Sequence, residues 1–192
     1  ATHKSGQFRY LATRHFAPSV LERKTTLEQQ ILVKSLLEHY HFMAVAERMS
    51  ESLVVMKLLF GLEHDDLIVL PSKVGYDYKT CRRVVTIQVT STIQEFIHTN
   101  FTVDNVDYLL YAAANRSLDE TIERLGREKF KRELKEHRRL QALAEKECIS
   151  DMLPCSQNKS YLGEAQVVCY AGDSGCGYPC VDRVLKQDAR AI

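Results

Sequence analysis

HFMAVAERMSESLVVMKLLFGL, residues 41–62, joins an apolar run, a charged elbow and a second apolar run without a break, and its reading decides the fold class. Residues 41–46 have the length of a strand. Residues 53–62 are apolar on nearly every side, interrupted only by Lys57 and Gly61. Such runs are buried on both faces, the habit of a parallel strand and its covering helix. Between them Glu47, Arg48, Ser50, Glu51 and Ser52 gather where the strand's carboxyl end meets the helix's amino end. In open α/β sheets that edge is where ligands bind, and a helix amino terminus favours negative charge.

Upstream, Thr25 and Thr26 stand ahead of an apolar pattern at Leu27, Ile31, Leu32, Leu36 and Leu37, which predicts an amphipathic helix ending near His39. Residues 1–18, mixed and basic with Lys4, Arg9 and Arg14, read as loop or short strand. Downstream, the acidic turn Glu63, His64, Asp65, Asp66 leads into a second short strand at 67–70, closed by Pro71. Residues 84–89 alternate like a further strand, and a short helix follows around Ile93, Phe96 and Ile97. Helices alternating with short parallel strands make the expected class α/β.

Residues 105–125 form the longest predicted helix, with Val106, Leu110, Ala113, Ala114, Ser117, Ile122 and Leu125 on one face. Tyr108, Tyr111, Asn115 and Asp119 follow a neighbouring stripe. A half-buried Asn and Asp there tie helices together through hydrogen bonds more often than they touch a ligand. Gly126 is expected to bend or break the helix. Residues 127–149 resume it, with Phe130 and Leu134 inward, and the Lys/Arg run around His137 reads as a solvated surface.

With 192 residues, 45% hydrophobic and 27% charged, the chain suits a soluble globular domain with one core. A formal charge of +1 supplies no field that would draw the whole molecule to nucleic acid or membrane, so any anion site must be a local cluster. No apolar run approaches the ~20 residues that cross a bilayer. Residues 1–14 show neither an initiator Met nor a signal pattern, so the chain reads as a piece of a longer protein. The best local cluster is residues 72–83, where Lys73, Lys79, Arg82 and Arg83 interleave with Tyr76 and Tyr78 around Gly75. That loop has the chemistry to hold a phosphate and stack a base; a solvated basic loop is the alternative.

Cys81 stands alone, whereas Cys148, Cys155, Cys169, Cys176 and Cys180 crowd the last quarter among Gly, Pro, Ser and Asn. This reads as a disulfide framework in an oxidising compartment rather than a zinc site, since no C-x-x-C occurs and no His follows His137. Six cysteines admit fifteen pairings, and the sequence does not choose among them. The expected organisation is a main domain over residues 1–150 and a disulfide-rich tail, 151–192, packed on it. Of the sequons, Asn100 and Asn158 are glycosylation candidates, while Asn115 falls inside the long helix. No phosphate-cradling glycine loop, GxSxG elbow, HExxH or paired metal-ligand motif occurs, so no metal is expected and no catalytic residue is assigned. Ser174, in Gly-Asp-Ser-Gly between Cys169 and Cys176, reads as part of a stapled turn.

Three motifs in order carry a resemblance: Ala44-Val-Ala-Glu-Arg-Met-Ser-Glu-Ser-Leu-Val54; Asp66-Leu-Ile-Val-Leu-Pro-Ser-Lys73; and Asp107, Leu110-Tyr111, Asn115-Arg116-Ser117. Over about residues 40–135 the chain resembles the Golgi carbohydrate sulfotransferases, especially the galactose 3-O-sulfotransferase group and, more distantly, heparan sulfate 2-O-sulfotransferase. The resemblance implies the helix-rich carboxyl-terminal part of a P-loop-like sulfotransferase fold. It also implies transfer of a sulfuryl group from PAPS to a hydroxyl, commonly of a carbohydrate, in the Golgi lumen or secretory pathway. Neither nucleic acid nor metal is implied, and membrane only through an amino-terminal anchor outside these residues.

The family carries its phosphate-binding loop, its 3′-phosphate Arg/Ser pair and its usual base ahead of the elbow, and none is evident here. The resemblance therefore implies a chain inactive by itself that supplies a second wall of the donor site. In that wall Lys73, Lys79, Arg82 and Arg83 face the nucleotide or an anionic acceptor, supported by Glu47, Arg48, Ser52, Tyr111 and Asn115. Two other readings stand beside it, a non-catalytic secreted or lumenal binding module and a helical scaffold whose charged face, residues 123–147, binds a partner.

Overall fold

The computed structural model describes residues 6–16, 25–70, 76–77, 82–83, 88–100, 106–152 and 177–191. The helices among them are α1 (Gly6–Ala12), α2 (Thr26–Glu38), α3 (Met49–Phe60), α4 (Ser91–Asn100), α5 (Val106–Leu125), α6 (Arg127–Met152) and α7 (Tyr178–Ala191). Short 3₁₀ turns cover Ala46–Arg48 and Asp65–Leu67. Among the described residues the strands are β1 (Tyr76–Asp77) and β2 (Arg82–Arg83), an antiparallel pair with Tyr76 opposite Arg83 and Asp77 opposite Arg82.

The chain is thus helix-rich, and the short parallel strands expected at 41–46 and 67–70 are not formed. The main-chain groups that a sheet would pair are taken by side chains and turns. Val45 N–H donates to Ser52 Oγ at 2.9 Å, and Val45 C=O accepts from the Arg48 N–H at 3.0 Å. Val69 N–H donates to Gln141 Oε1 at 3.3 Å, while Gln141 Nε2 donates back to Val69 C=O at 2.5 Å. Val45, Leu67 and Ile68 are buried, but Ala44, Ala46, Phe60 and Val69 are exposed, so the burial on both faces expected of a parallel strand and its covering helix is not found either: the runs are buried on one side only. Of the third expected strand, residues 84–87 lie outside the described residues and 88–90 form no ladder.

The chain divides into two compact units, Ala1–Met56 with Gln88–Phe130, and Lys57–Ile87 with Lys131–Ile192. In the first, α2 starts at a capping box: the Thr25 side chain accepts from Glu28 N–H, and the Glu28 carboxylate accepts from Thr25 N–H at 2.8 Å. Its inner face is Val33 and Leu36; Leu27 and Ile31, expected inside, are exposed. The stretch read as loop or short strand forms α1, because Phe8 and Ala12 recur at helical spacing and bury against Val33, Leu36, Val106 and Leu110. Its free amino-terminal donor at Phe8 is met by Asp107 Oδ1 at 2.7 Å. Helix α5 buries Val106, Leu110, Ala113, Ala114 and Ile122 as the periodicity predicts, together with Leu118 and Thr121. It stops at Gly126, whose φ of 93° is open to glycine and strained for other residues.

In the second unit α6 and α7 are tied by the Cys148–Cys180 disulfide. Around it Ile68, Leu140, Ala144, Val181 and Leu185 form the core. The last residues, read as a stapled tail, are helical over Tyr178–Ala191, since Cys180, Val181, Val184 and Leu185 recur at helical spacing. At the surface the Arg139 guanidinium bridges Glu136 and Asp188, holding both carboxyls below their usual range. His137, placed by sequence on a solvated run, is instead buried to 1% exposure. It falls on the seam Phe130, Leu134, His137, Leu140, Ala144, Cys148, where a solvated reading of the charges hid a regular inner face.

Candidate functional site

The elbow is built from residues seven apart. Val45 is extended, the turn Ala46–Arg48 redirects the chain, and one helical turn into α3 Ser52 comes back beneath Val45. There its hydroxyl accepts from Val45 N–H and donates to Val45 C=O at 3.2 Å, with Ser52 only 1% exposed. A small side chain with one donor and acceptor closes this loop; a larger apolar one would leave the N–H unmet.

Arg48 leaves the same turn towards α5. Its guanidinium is paired with Glu51, donates to Asp119 Oδ1 at 2.8 Å, and reaches Asn115 Oδ1 at 3.5 Å. Asn115 in turn donates its amide to the Tyr111 carbonyl at 3.2 Å, which orients the oxygen towards Arg48. The hydrogen bond to Asp119, opposed by partial burial and reinforced by Glu51, holds the guanidinium pKa above its ordinary value. Asn115 and Asp119 therefore tie α5 to the elbow. Glu47 is exposed beside this knot, and the Tyr111 ring is exposed on the α5 side.

One cation here meets two carboxylates, so the elbow is closed to a phosphate or sulfate. The negative charge that the α3 amino terminus favours is supplied from within by Glu51, in its first turn. The arrangement does not fit the bisphosphate of a nucleotide donor, and its chemistry is positional: it fixes where α5 stands relative to the strand-like segment ahead of α3.

Arg82 and Arg83 form β2, while Lys73 and Lys79 lie outside the described residues. Cys81, Cys155, Cys169, Cys176 and Asn158 also lie outside them, and Asn100 is the last residue of α4. Among the described residues no group of three or more His, Cys, Asp or Glu is placed to hold a metal ion, and no helix is long and apolar enough to cross a membrane.

Sequence reasoning missed a second charged cluster. Lys57 Nζ and His64 Nε2 both lie 3.1 Å from the Glu133 carboxylate. Burial pushes the Glu133 carboxyl up, but hydrogen bonding and charge from Lys57 foremost, and then His64, hold it below its ordinary value. The His64 and His137 rings stack at 6.2 Å, and the buried Nδ1 of each has no hydrogen-bond partner among the described residues. Burial first, then the neighbouring charges of His64 and Arg138, pushes the His137 pKa down.

A family model described as galactose-3-O-sulfotransferase matches residues 16–171, a span containing the elbow, α5 and the basic segment at 72–83. No curated protein and no solved structure matches the chain.

Proposed function

Because the chain belongs to the galactose-3-O-sulfotransferase family, we propose that it is part of an enzyme moving a sulfuryl group from PAPS to a carbohydrate hydroxyl in the Golgi lumen. The family match over residues 16–171 is the observation that carries this reading. In it Lys73, Lys79, Arg82 and Arg83 face the donor nucleotide, because clustered cations beside tyrosines suit a phosphate and a base. Glu47, Arg48, Ser52, Tyr111 and Asn115 hold the elbow and α5 as the wall from which the acceptor is presented. The disulfide Cys148–Cys180 supports an oxidising compartment and ties α7 to α6. Cys81, Cys155, Cys169 and Cys176 complete that framework in this reading, and Asn100 and Asn158 carry glycans.

The test is transfer of labelled sulfate from PAPS to a galactose-terminated oligosaccharide by the full-length natural protein. Replacing Lys73, Lys79, Arg82 and Arg83 together by Gln is expected to raise the donor KM by at least tenfold. Absence of both nucleotide binding and transfer in the wild type would refute the enzyme reading and leave a non-catalytic lumenal binding module.

A further inference from the structure

Asn115, Arg116 and Ser117 are consecutive on α5, and helical geometry turns them to different sides. Asn115 faces Arg48, whereas Arg116 and Ser117 face α2. There they line a groove of about 700 Å³, within the range of ligand sites, about 300–1,000 Å³. Its floor is apolar, made by Val33 and Leu37 of α2 and Leu109 and Ala113 of α5. Lys34 and Glu38 line it from α2, beside Gln30, and Arg116 and Glu120 from α5, beside Ser117.

Each wall places its cation four residues before its carboxylate, the weaker order for an i,i+4 pair. None of these four charges joins an ion pair among the described residues. The groove therefore presents unspent donors and unspent acceptors above an apolar floor. We propose that it binds a neutral oligosaccharide. A sulfated or phosphorylated chain would meet Glu38 and Glu120, and an apolar helix would strip water from four charges without pairing them. A sugar hydroxyl both donates and accepts, so adjacent hydroxyls satisfy Arg116 and Glu120, or Lys34 and Glu38, together. The C–H face of the ring lies against Val33, Leu37 and Leu109. Naming this ligand as the acceptor glycan rests on the sulfotransferase reading; the groove's preference for a neutral polyol does not.

The experiment uses the full-length natural protein and the double variant Arg116→Gln/Glu120→Gln, whose folding is checked by circular dichroism. Both residues are exposed, so the fold is expected to persist. Titration with a galactose-terminated tetrasaccharide, without donor, is followed by calorimetry. Loss of one hydrogen bond to a charged group predicts at least tenfold weaker binding by the variant, with no gain from sulfating the ligand. In the transfer assay the acceptor KM rises by the same factor while kcat holds. Equal glycan affinity in the two proteins overturns the groove while leaving any transfer activity, and so the enzyme reading, untouched. Glycan binding that the variant loses, in a protein that transfers no sulfate, upholds the groove and sinks the enzyme. A dimer that the variant dissociates with no change in glycan affinity also overturns it, since the groove then joins two copies of the chain.

Discussion

Replacing Ser52 by Ala tests the reading of the elbow at one atom. Ser52 Oγ has two bonds to Val45, but they are unequal in consequence. The Val45 C=O keeps its 3.0 Å bond from Arg48 N–H when the hydroxyl is removed, whereas the Val45 N–H loses its acceptor. With Ser52 and Val45 exposed by only 1% and 3%, water does not replace it cheaply. One orphaned buried donor costs about 1–3 kcal/mol, so the expected loss is about 2 kcal/mol. With a urea slope of about 2 kcal/mol per molar, the midpoint should fall by about 1 M at unchanged slope. Ser50→Ala, two residues away and less buried, is the control and should stay within about 0.5 kcal/mol. Hydrogen exchange at Val45 should quicken in Ser52→Ala alone. A stability loss below about 0.5 kcal/mol, with Val45 N–H still protected, would refute the account.

Stability should fall as pH drops through the ordinary histidine value of 6.5, because burial depresses His137 in the folded state and the unfolded chain takes up the proton first. Urea midpoints of His137→Leu should then be flatter than wild type between about pH 7.5 and pH 5.5. Gly177→Ala should cost about 1–2 kcal/mol from its φ of 78°, and slightly more than Gly126→Ala, since an added Cβ meets Leu70 Cδ1 at 2.7 Å only at Gly177; thermal melts of both variants check the order. Cys148→Ser opens a loop spanning 32 residues and should destabilise the protein by about 3–4 kcal/mol, read by urea unfolding under non-reducing conditions.

The helices were legible where period and punctuation agree. Thr25 and Glu28 announce α2, and Gly126 ends α5 in the left-handed conformation that other residues avoid. The final helix was hidden because Cys180 and Pro179, with Gly177 just ahead, read as a loop, although Val181 and Leu185 already stood four apart. At the elbow, composition located the charged residues and the α5 stripe suggested that Asn115 and Asp119 tie helices. Neither revealed that Arg48 would be their partner, nor that its charge would be spent on carboxylates.

By itself the sequence determined local periodicity, caps and the motifs that mark the family. Only the tertiary structure decided what the buried main chain pairs with. A run such as Phe42 to Val45 is equally apolar as a strand or as an extended segment, and the difference lies in whether another strand or the hydroxyl of Ser52 reaches its N–H first. The same holds for charge: Arg48 in a sequence is a phosphate ligand or a tether alike, and the positions of Glu51, Asn115 and Asp119 around it make it a tether.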